Sequence, residues 1–216
     1  MPLSLHLPFD RTFSSSLFIA GLVAGCSSLG GDESFEVAVQ DQRFVASGVI
    51  DGSTPRILRA AFAANPDIRE LVLWSVPGSV DDTANLEAGR LVRARGLTTI
   101  VPQGGLVASG GTDLFLAGVR REIGPGACLG VHSWVSGLFG GKDGRDLPRD
   151  DPEHYDYLDY YAELGVDPAF YWFTLDAASS EEIHWMNNAE LQRFGMSTTP
   201  INFALEATPA TCGGSG

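Results

Sequence analysis

Gly104–His132 reads GGLVASGGTDLFLAGVRREIGPGACLGVH, and its apolar runs and small-residue breaks decide the fold. A short apolar run ends in Ala108-Ser109-Gly110-Gly111. An apolar-rich segment reaches Ala117-Gly118, followed by a basic turn, a Gly-Pro-Gly break and a second apolar run ending on His132. Small residues around a serine at a helix start leave its hydroxyl uncrowded. They also leave backbone N–H groups free where negative charge is favoured. An apolar strand ending in histidine is one way to supply a general base, and nucleophile and base then meet in space while apart in sequence. Ser109 and His132 are the candidate pair. Each has a plainer alternative: Ser109 as a helix N-cap, His132 as a satisfied strand-end histidine.

Outward from this stretch the chain alternates. Glu70–Trp74 (ELVLW) is a near-continuous apolar run, the pattern of a strand buried on both faces of a parallel sheet. Ser75–Val80 is a tight turn. Asp81–Arg95 reads as a helix closed by Gly96, and Leu97–Val101 (LTTIV) as the next strand. Further upstream, Thr54-Pro55 offers an N-cap and a proline at the first helical position, and Arg56–Ala64 continues that helix. Ser34–Ile50 holds two β-leaning pieces. Strands and helices at this spacing predict successive right-handed βαβ units.

Downstream, Ser133–Arg149 is rich in glycine and charge without a sustained period and reads as an exposed loop. Helices are expected over Pro152–Leu164 and Pro168–Leu175. Glu181–Phe194 should hold a short strand-like piece and then a helix starting at Asn188 and closed by Gly195. The tail after Phe203 is expected to be disordered. Asp113, one turn after Ser109, reads as a surface or helix-face carboxylate. The tyrosine- and aspartate-rich His154–Tyr161 stretch is a helix with one aromatic face packed and an acidic face solvated, or else the floor of a substrate groove or an oligomer contact. His154 and His184 lie near acidic residues, but no HExxH pair, CxxC or carboxylate cluster has ligand spacing, so no metal is expected. No nucleotide-binding glycine loop follows a strand, so no cofactor is expected either.

The 216 residues, 44% hydrophobic, suffice for one sizeable core. A formal charge of −13 with a single lysine, Lys142, argues against nucleic acid as a partner. Residues 1–25 read as a signal peptide, because Phe13–Gly25 is apolar but too short to span a bilayer as a helix. Val23-Ala24-Gly25-Cys26 resembles a bacterial lipoprotein box. On that reading Cys26 carries a lipid, residues 26–33 are a flexible tether, and the periplasm or cell envelope is the location. The alternative is an ordinary signal peptide with Cys26 incidental. Export leaves Cys128 and Cys212 as a candidate disulfide or as two free thiols.

In their order, these pieces resemble the ClpP/crotonase superfamily, specifically its Clp-protease-like serine peptidase branch, over roughly Gly48 to Met196. The carriers are Gly48–Gly52, Ser75-Val76-Pro77-Gly78-Ser79-Val80, Ala108–Gly111 with Ala117-Gly118, Val131-His132, and Asn188–Leu191 through Gly195-Met196. The resemblance implies an α/β fold over residues 34–203: a superhelical core of repeated βαβ (β-β-α) units with a C-terminal helical extension. Residues 204–216 would form the tail.

It further implies Ser109 as nucleophile, His132 as general base, and the Gly78 and Gly110 N–H groups as the oxyanion hole. Two preorganised donors are what an acyl-transfer intermediate needs. Pro77 replaces the first glycine of the family turn and has no N–H to give. The acid departs as well, since Ile183 falls at the family's aspartate. Glu182, one residue before it, is the candidate acid; Glu181, Asp176, or a dyad without an acid are the alternatives.

The expectation is an exported, lipid-anchored serine hydrolase or peptidase, independent of ATP and metal, with a peptide or other acyl compound as substrate. Only its lipid would reach the membrane, and relatives suggest homo-oligomers of three or more copies. The alternatives are an inactive binding or scaffold protein and an acyl-CoA enzyme of crotonase type.

Overall fold

Strands β1 (Glu36–Gln40) and β2 (Arg43–Ser47) pair antiparallel through a two-residue turn. Its central residues Asp41 and Gln42 both take positive φ, 47° and 60°, the geometry that matches the twist of a tight hairpin. The computed structural model describes residues 34–135, 141–201 and 212. The expected signal segment, Cys26, the tether and the tail, apart from Cys212, lie outside the described residues.

The order continues with α1 (Thr54–Ala64), β3 (Glu70–Val76), α2 (Asp82–Arg95), β4 (Thr98–Val101) and β5 (Leu106–Ala108). Then come α3 (Gly110–Leu116), β6 (Arg120–Ile123), β7 (Cys128–Val131), α4 (Tyr155–Leu164), α5 (Pro168–Ala177), β8 (His184–Trp185) and α6 (Asn188–Arg193). The fold is mixed α/β with repeated β-α-β connections, as the resemblance implies. Among the described residues the sheet has eight strands, parallel except at the β1/β2 hairpin and the β7/β8 edge.

Strand β3 is the branch point. Its first half pairs with β4 (Glu70↔Thr98 to Val72↔Ile100), and its last residues pair with β5 (Ser75↔Leu106, Val76↔Val107). One branch ends in β6 and the other continues through β7 to β8. The Ser109 and His132 strands are therefore neighbours, with Ala108 opposite Gly130.

Several expectations are corrected. Trp74 is 53% exposed, so β3 is not covered on both faces to its end. The basic turn at Arg120-Arg121 is strand β6, whose charges suit an edge strand with a single neighbour. Helix α1 is capped one residue earlier than expected, at Ser53, without a side-chain cap. Thr54 instead accepts a hydrogen bond from the Asp51 N–H. The segment after His132 is not simply exposed: Ser133 and Leu147 are buried. Of the two readings left open for Cys128 and Cys212, the disulfide is the one present.

Helix α4 reaches the site because α2 gives way to it. A Cβ on Gly89 would lie 2.0 Å from the hydroxyl of Tyr160 and 2.7 Å from its Cζ. Across this gap Tyr160, fully buried, donates to the Asp113 carbonyl at 2.8 Å. Gly89→Ala should therefore cost about 1–3 kcal/mol, the usual penalty of overpacking. Chemical denaturation checks it, and an unchanged midpoint would mean that Tyr160 can move aside freely.

Candidate active site

The β5–α3 junction sets the serine. Ser109 takes φ 50° and ψ −127°, a strained conformation for a residue with a Cβ. Its N–H donates to the Gly130 carbonyl (3.1 Å), while its own carbonyl accepts from Thr112 (2.8 Å) and Asp113 (3.2 Å). Ser109 occupies the N-cap position, yet its side chain makes no capping hydrogen bond. The hydroxyl is thus left unused by the helix, on a half-buried residue.

Glycines make the junction possible. A Cβ on Gly111 would lie 1.9 Å from the Val76 carbonyl oxygen, and one on Gly110 would lie 2.6 Å from Ser79 Oγ. A Cβ on Gly78 would stand 3.5 Å from Ser109 Cβ, so Gly78 is packed directly against the serine. Among the described residues neither the Gly78 nor the Gly110 N–H donates to a backbone carbonyl. Pro77 is exposed beside them.

His132 follows β7 directly and is half-buried. The chain beyond it is pinned by Ser133, whose N–H donates to the Ala178 carbonyl at 3.0 Å. Among the described residues the buried Nδ1 of His132 has no hydrogen-bond partner. Burial lowers the imidazole pKa, opposed by the Ser133 backbone and by the carboxylates of Asp143 and Asp82.

Ser109 and His132 line one cavity of about 30 Å³, together with Asp113, Trp134 and three tyrosines, Tyr157, Tyr161 and Tyr171. The tyrosine-rich helix therefore lines the site and does not merely pack against the core. Trp134 Nε1 donates to the Tyr171 hydroxyl (2.9 Å), which lies 2.6 Å from Nδ1 of the buried His154. His154 Nε2 is 3.1 Å from the Pro148 carbonyl, an acceptor only. In the neutral ring this puts the proton of His154 on Nε2, with Tyr171 donating to Nδ1.

Asp113 is no surface carboxylate but is buried. Tyr161 donates to Oδ1 at 2.6 Å and Asn85 to Oδ2 at 3.1 Å. Burial pushes its pKa up to about 7, with Asp82 adding to the rise and the Tyr161 and Asn85 hydrogen bonds opposing it. Burial also raises the Tyr160 and Tyr161 phenols, which remain donors. Asp113 follows Ser109 by four residues, one turn into α3, a spacing present in the sequence.

The acid expected at Glu182 is not brought to His132. Glu182 and Glu181 are exposed, and neither side chain has a hydrogen bond or ion pair among the described residues. Asp176 is exposed and faces Arg149 at 3.5 Å. The carboxylate that acts most strongly on His132 is Asp143, which sequence reasoning left inside a loop. Its Oδ2 accepts from the Ser180 N–H (2.9 Å) and its Oδ1 from the Arg145 N–H (3.2 Å). Among the described residues, no three His, Cys, Asp or Glu side chains gather as a metal site.

No family model and no curated protein matches the chain. Among solved structures, it is similar to a serine-to-alanine variant of the 1510-N membrane-bound stomatin-specific protease. That likeness covers 69% of this chain and 73% of the other, with 15% identity and a TM-score of 0.48. A lysine-to-alanine variant of the same protease, in complex with a substrate peptide, is similar over 69% of this chain and 71% of the other (16% identity, TM-score 0.44). A protein assigned as an enoyl-CoA hydratase, from Streptomyces coelicolor, is similar over 90% of this chain and 77% of its own (14% identity, TM-score 0.43).

Two outcomes follow from the geometry. Ser109→Gly should exceed Ser109→Ala in unfolding free energy by about 1 kcal/mol, because glycine adopts positive φ without strain. Equal stabilities would mean that the turn stores none. For Asp113, the folded pKa of about 7 lies above the ordinary 3.8. The native state then keeps a proton that the unfolded chain releases. Its stabilising contribution is complete below about pH 4 and is lost as pH rises through 7. Wild type should therefore lose stability between pH 4 and 7 relative to Asp113→Asn, and parallel denaturation curves would show that the folded carboxyl is already ionised.

Proposed function

We propose that the chain is a serine hydrolase that cleaves peptide or other acyl bonds through Ser109 and His132. The observation that carries this reading is the Ser109 turn. A strained, half-buried serine, with its hydroxyl unused as a cap, shares a cavity with a histidine whose burial favours the neutral, basic form. Strain of this kind persists where surrounding structure enforces it, and it gathers at reactive positions.

In the reaction, Ser109 Oγ attacks the acyl carbon while His132 takes the hydroxyl proton. The carbonyl oxygen becomes an oxyanion, which the Gly78 and Gly110 N–H groups would hold. Collapse breaks the bond to the leaving group, which receives the proton from His132 and leaves an acyl ester on Ser109. A water, deprotonated by the same histidine, then attacks the ester and restores the serine. Removal of one oxyanion donor in such sites costs about 10²–10³ in rate.

The His132 imidazolium would be stabilised through space by Asp143 and Asp82, in place of a carboxylate bonded directly to Nδ1. That unpartnered Nδ1, with Pro77 in the turn, is also what favours the second reading, a binding protein that keeps the fold without the chemistry.

We further propose that the protein is exported, with Cys26 as its lipid anchor and the cell envelope as its location. The Val23–Cys26 motif supports this, and a Cys128–Cys212 bond suits an oxidising compartment. Among the described residues no helix is long and apolar enough to cross a membrane. ATP and metal have no part in the proposed cycle, and self-association into trimers or larger rings belongs to the same reading.

A fluorophosphonate should label the purified protein at Ser109. Ser109→Ala should abolish labelling, and His132→Ala should slow it by about 10²–10⁴-fold, the usual worth of a positioned base. The wild-type rate should rise with pH through a midpoint below 6.5, since burial lowers the His132 pKa. A folded protein that no fluorophosphonate labels would sink the hydrolase reading and leave the binding protein.

A further inference from the structure

We propose that the cavity beside Ser109 admits only a small acyl side chain, of glycine, alanine or serine size, and that the stacked rings of Trp134 and Tyr157 set this limit. The inference rests on the serine-hydrolase reading and adds its substrate class.

Two hollows adjoin at these rings. The one holding Ser109 and His132 offers about 30 Å³, while the cleft on the far side, between α2 and the start of α4, offers about 450 Å³. Trp134 and Tyr157 line both. A leucine, phenylalanine or long acyl chain needs the larger one.

The partition is built to stay closed. Trp134 stacks on Tyr157 with centroids 6.0 Å apart and planes 12° from parallel, and Tyr157 stacks on Tyr171 at 5.7 Å and 17°. The outer rings of this stack are also joined, because Trp134 Nε1 donates to the Tyr171 hydroxyl, itself anchored on His154. Swinging Trp134 aside would break a hydrogen bond and a stacked contact together. The floor is equally fixed: Thr112 donates to the Gly130 carbonyl (2.8 Å), Thr174 to the Tyr171 carbonyl (2.8 Å), and Asp113 is held by Tyr161. Close-packed walls of this kind exclude added methylenes and do not expand around them.

The test uses p-nitrophenyl acetate, butyrate and octanoate on the full chain, reading p-nitrophenolate release and the acyl mass added at Ser109. Fluorophosphonate labelling of each variant reports whether the nucleophile is intact. Wild type should be acylated by acetate at least about 100-fold faster than by octanoate, within the range that hydrophobic pockets reach by size alone. Tyr157→Ala should raise the octanoate-to-acetate ratio at least about tenfold by joining the two hollows. Tyr157→Leu, which keeps bulk but loses the flat ring, should raise it less and serves if the alanine variant does not fold.

Equal acetate and octanoate rates at a labelled Ser109 would overturn the size limit and leave the hydrolase reading standing. So would a ratio unmoved in both Tyr157 variants, or a labelled Ser109 that neither ester acylates. Absence of both labelling and acylation in the folded protein would overturn the hydrolase reading and this inference with it.

Discussion

The close approach of helix α3 to the end of strand β3 is the constraint on which the site depends. Gly111 sits where a Cβ would meet the Val76 carbonyl oxygen at 1.9 Å, so the helix starts almost in contact with the strand that branches the sheet. That contact leaves no room for a gradual turn out of β5, and the chain enters α3 through the positive φ of Ser109. Gly110 and Gly78 are the other two faces of the same junction, one against Ser79 and one against the serine itself. With the side chains of three neighbours missing, a fourth residue, Ser109, lines a cavity.

Aromatic residues supply the rest of the enclosure. Helix α4 brings Tyr157, Tyr160 and Tyr161 to α3, and their burial is made tolerable by partners for each polar end that reaches Asp113. A buried carboxyl in the cavity that Ser109 also lines would be costly as a charge, and burial accordingly pushes its pKa up to about 7. Asn85 donates to the same carboxyl from α2, so three helices converge on one side chain.

Much of this was legible in the sequence, and the failures have identifiable causes. The order of strands and helices from Thr54 to Leu116 could be read because glycine, proline and apolar runs punctuate it. Strand β6 was lost because Arg120, Arg121 and Glu122 have the composition of a turn, and only its pairing with β4 makes them a strand. The burial of Asp113 could not be read because it depends on Tyr160 and Tyr161, some 47 and 48 positions away. Ser109 and His132 were visible as a pair, because both end strands that lie next to each other in the sheet. The place of Asp143 was not visible. Asp143 is placed by hydrogen bonds to Ser180 and Arg145 in a segment without periodicity, while Glu182, attractive by its adjacency to the family's position, faces solvent.

The bond between Cys128 and Cys212 has a topological consequence. It joins positions 84 apart and turns that part of the chain into a closed ring. Ser109 lies on the open strand before the ring, whereas His132, Trp134, Asp143 and the tyrosines of α4 and α5 all lie on it. A single cut in any peptide bond of the ring opens a circle and releases nothing, and two cuts are needed before any fragment can leave. His132 and the cavity residues on the ring are thus tied to Cys128 by two covalent routes wherever the bond is kept and by one where it is reduced, while Ser109 reaches the ring by a single backbone path.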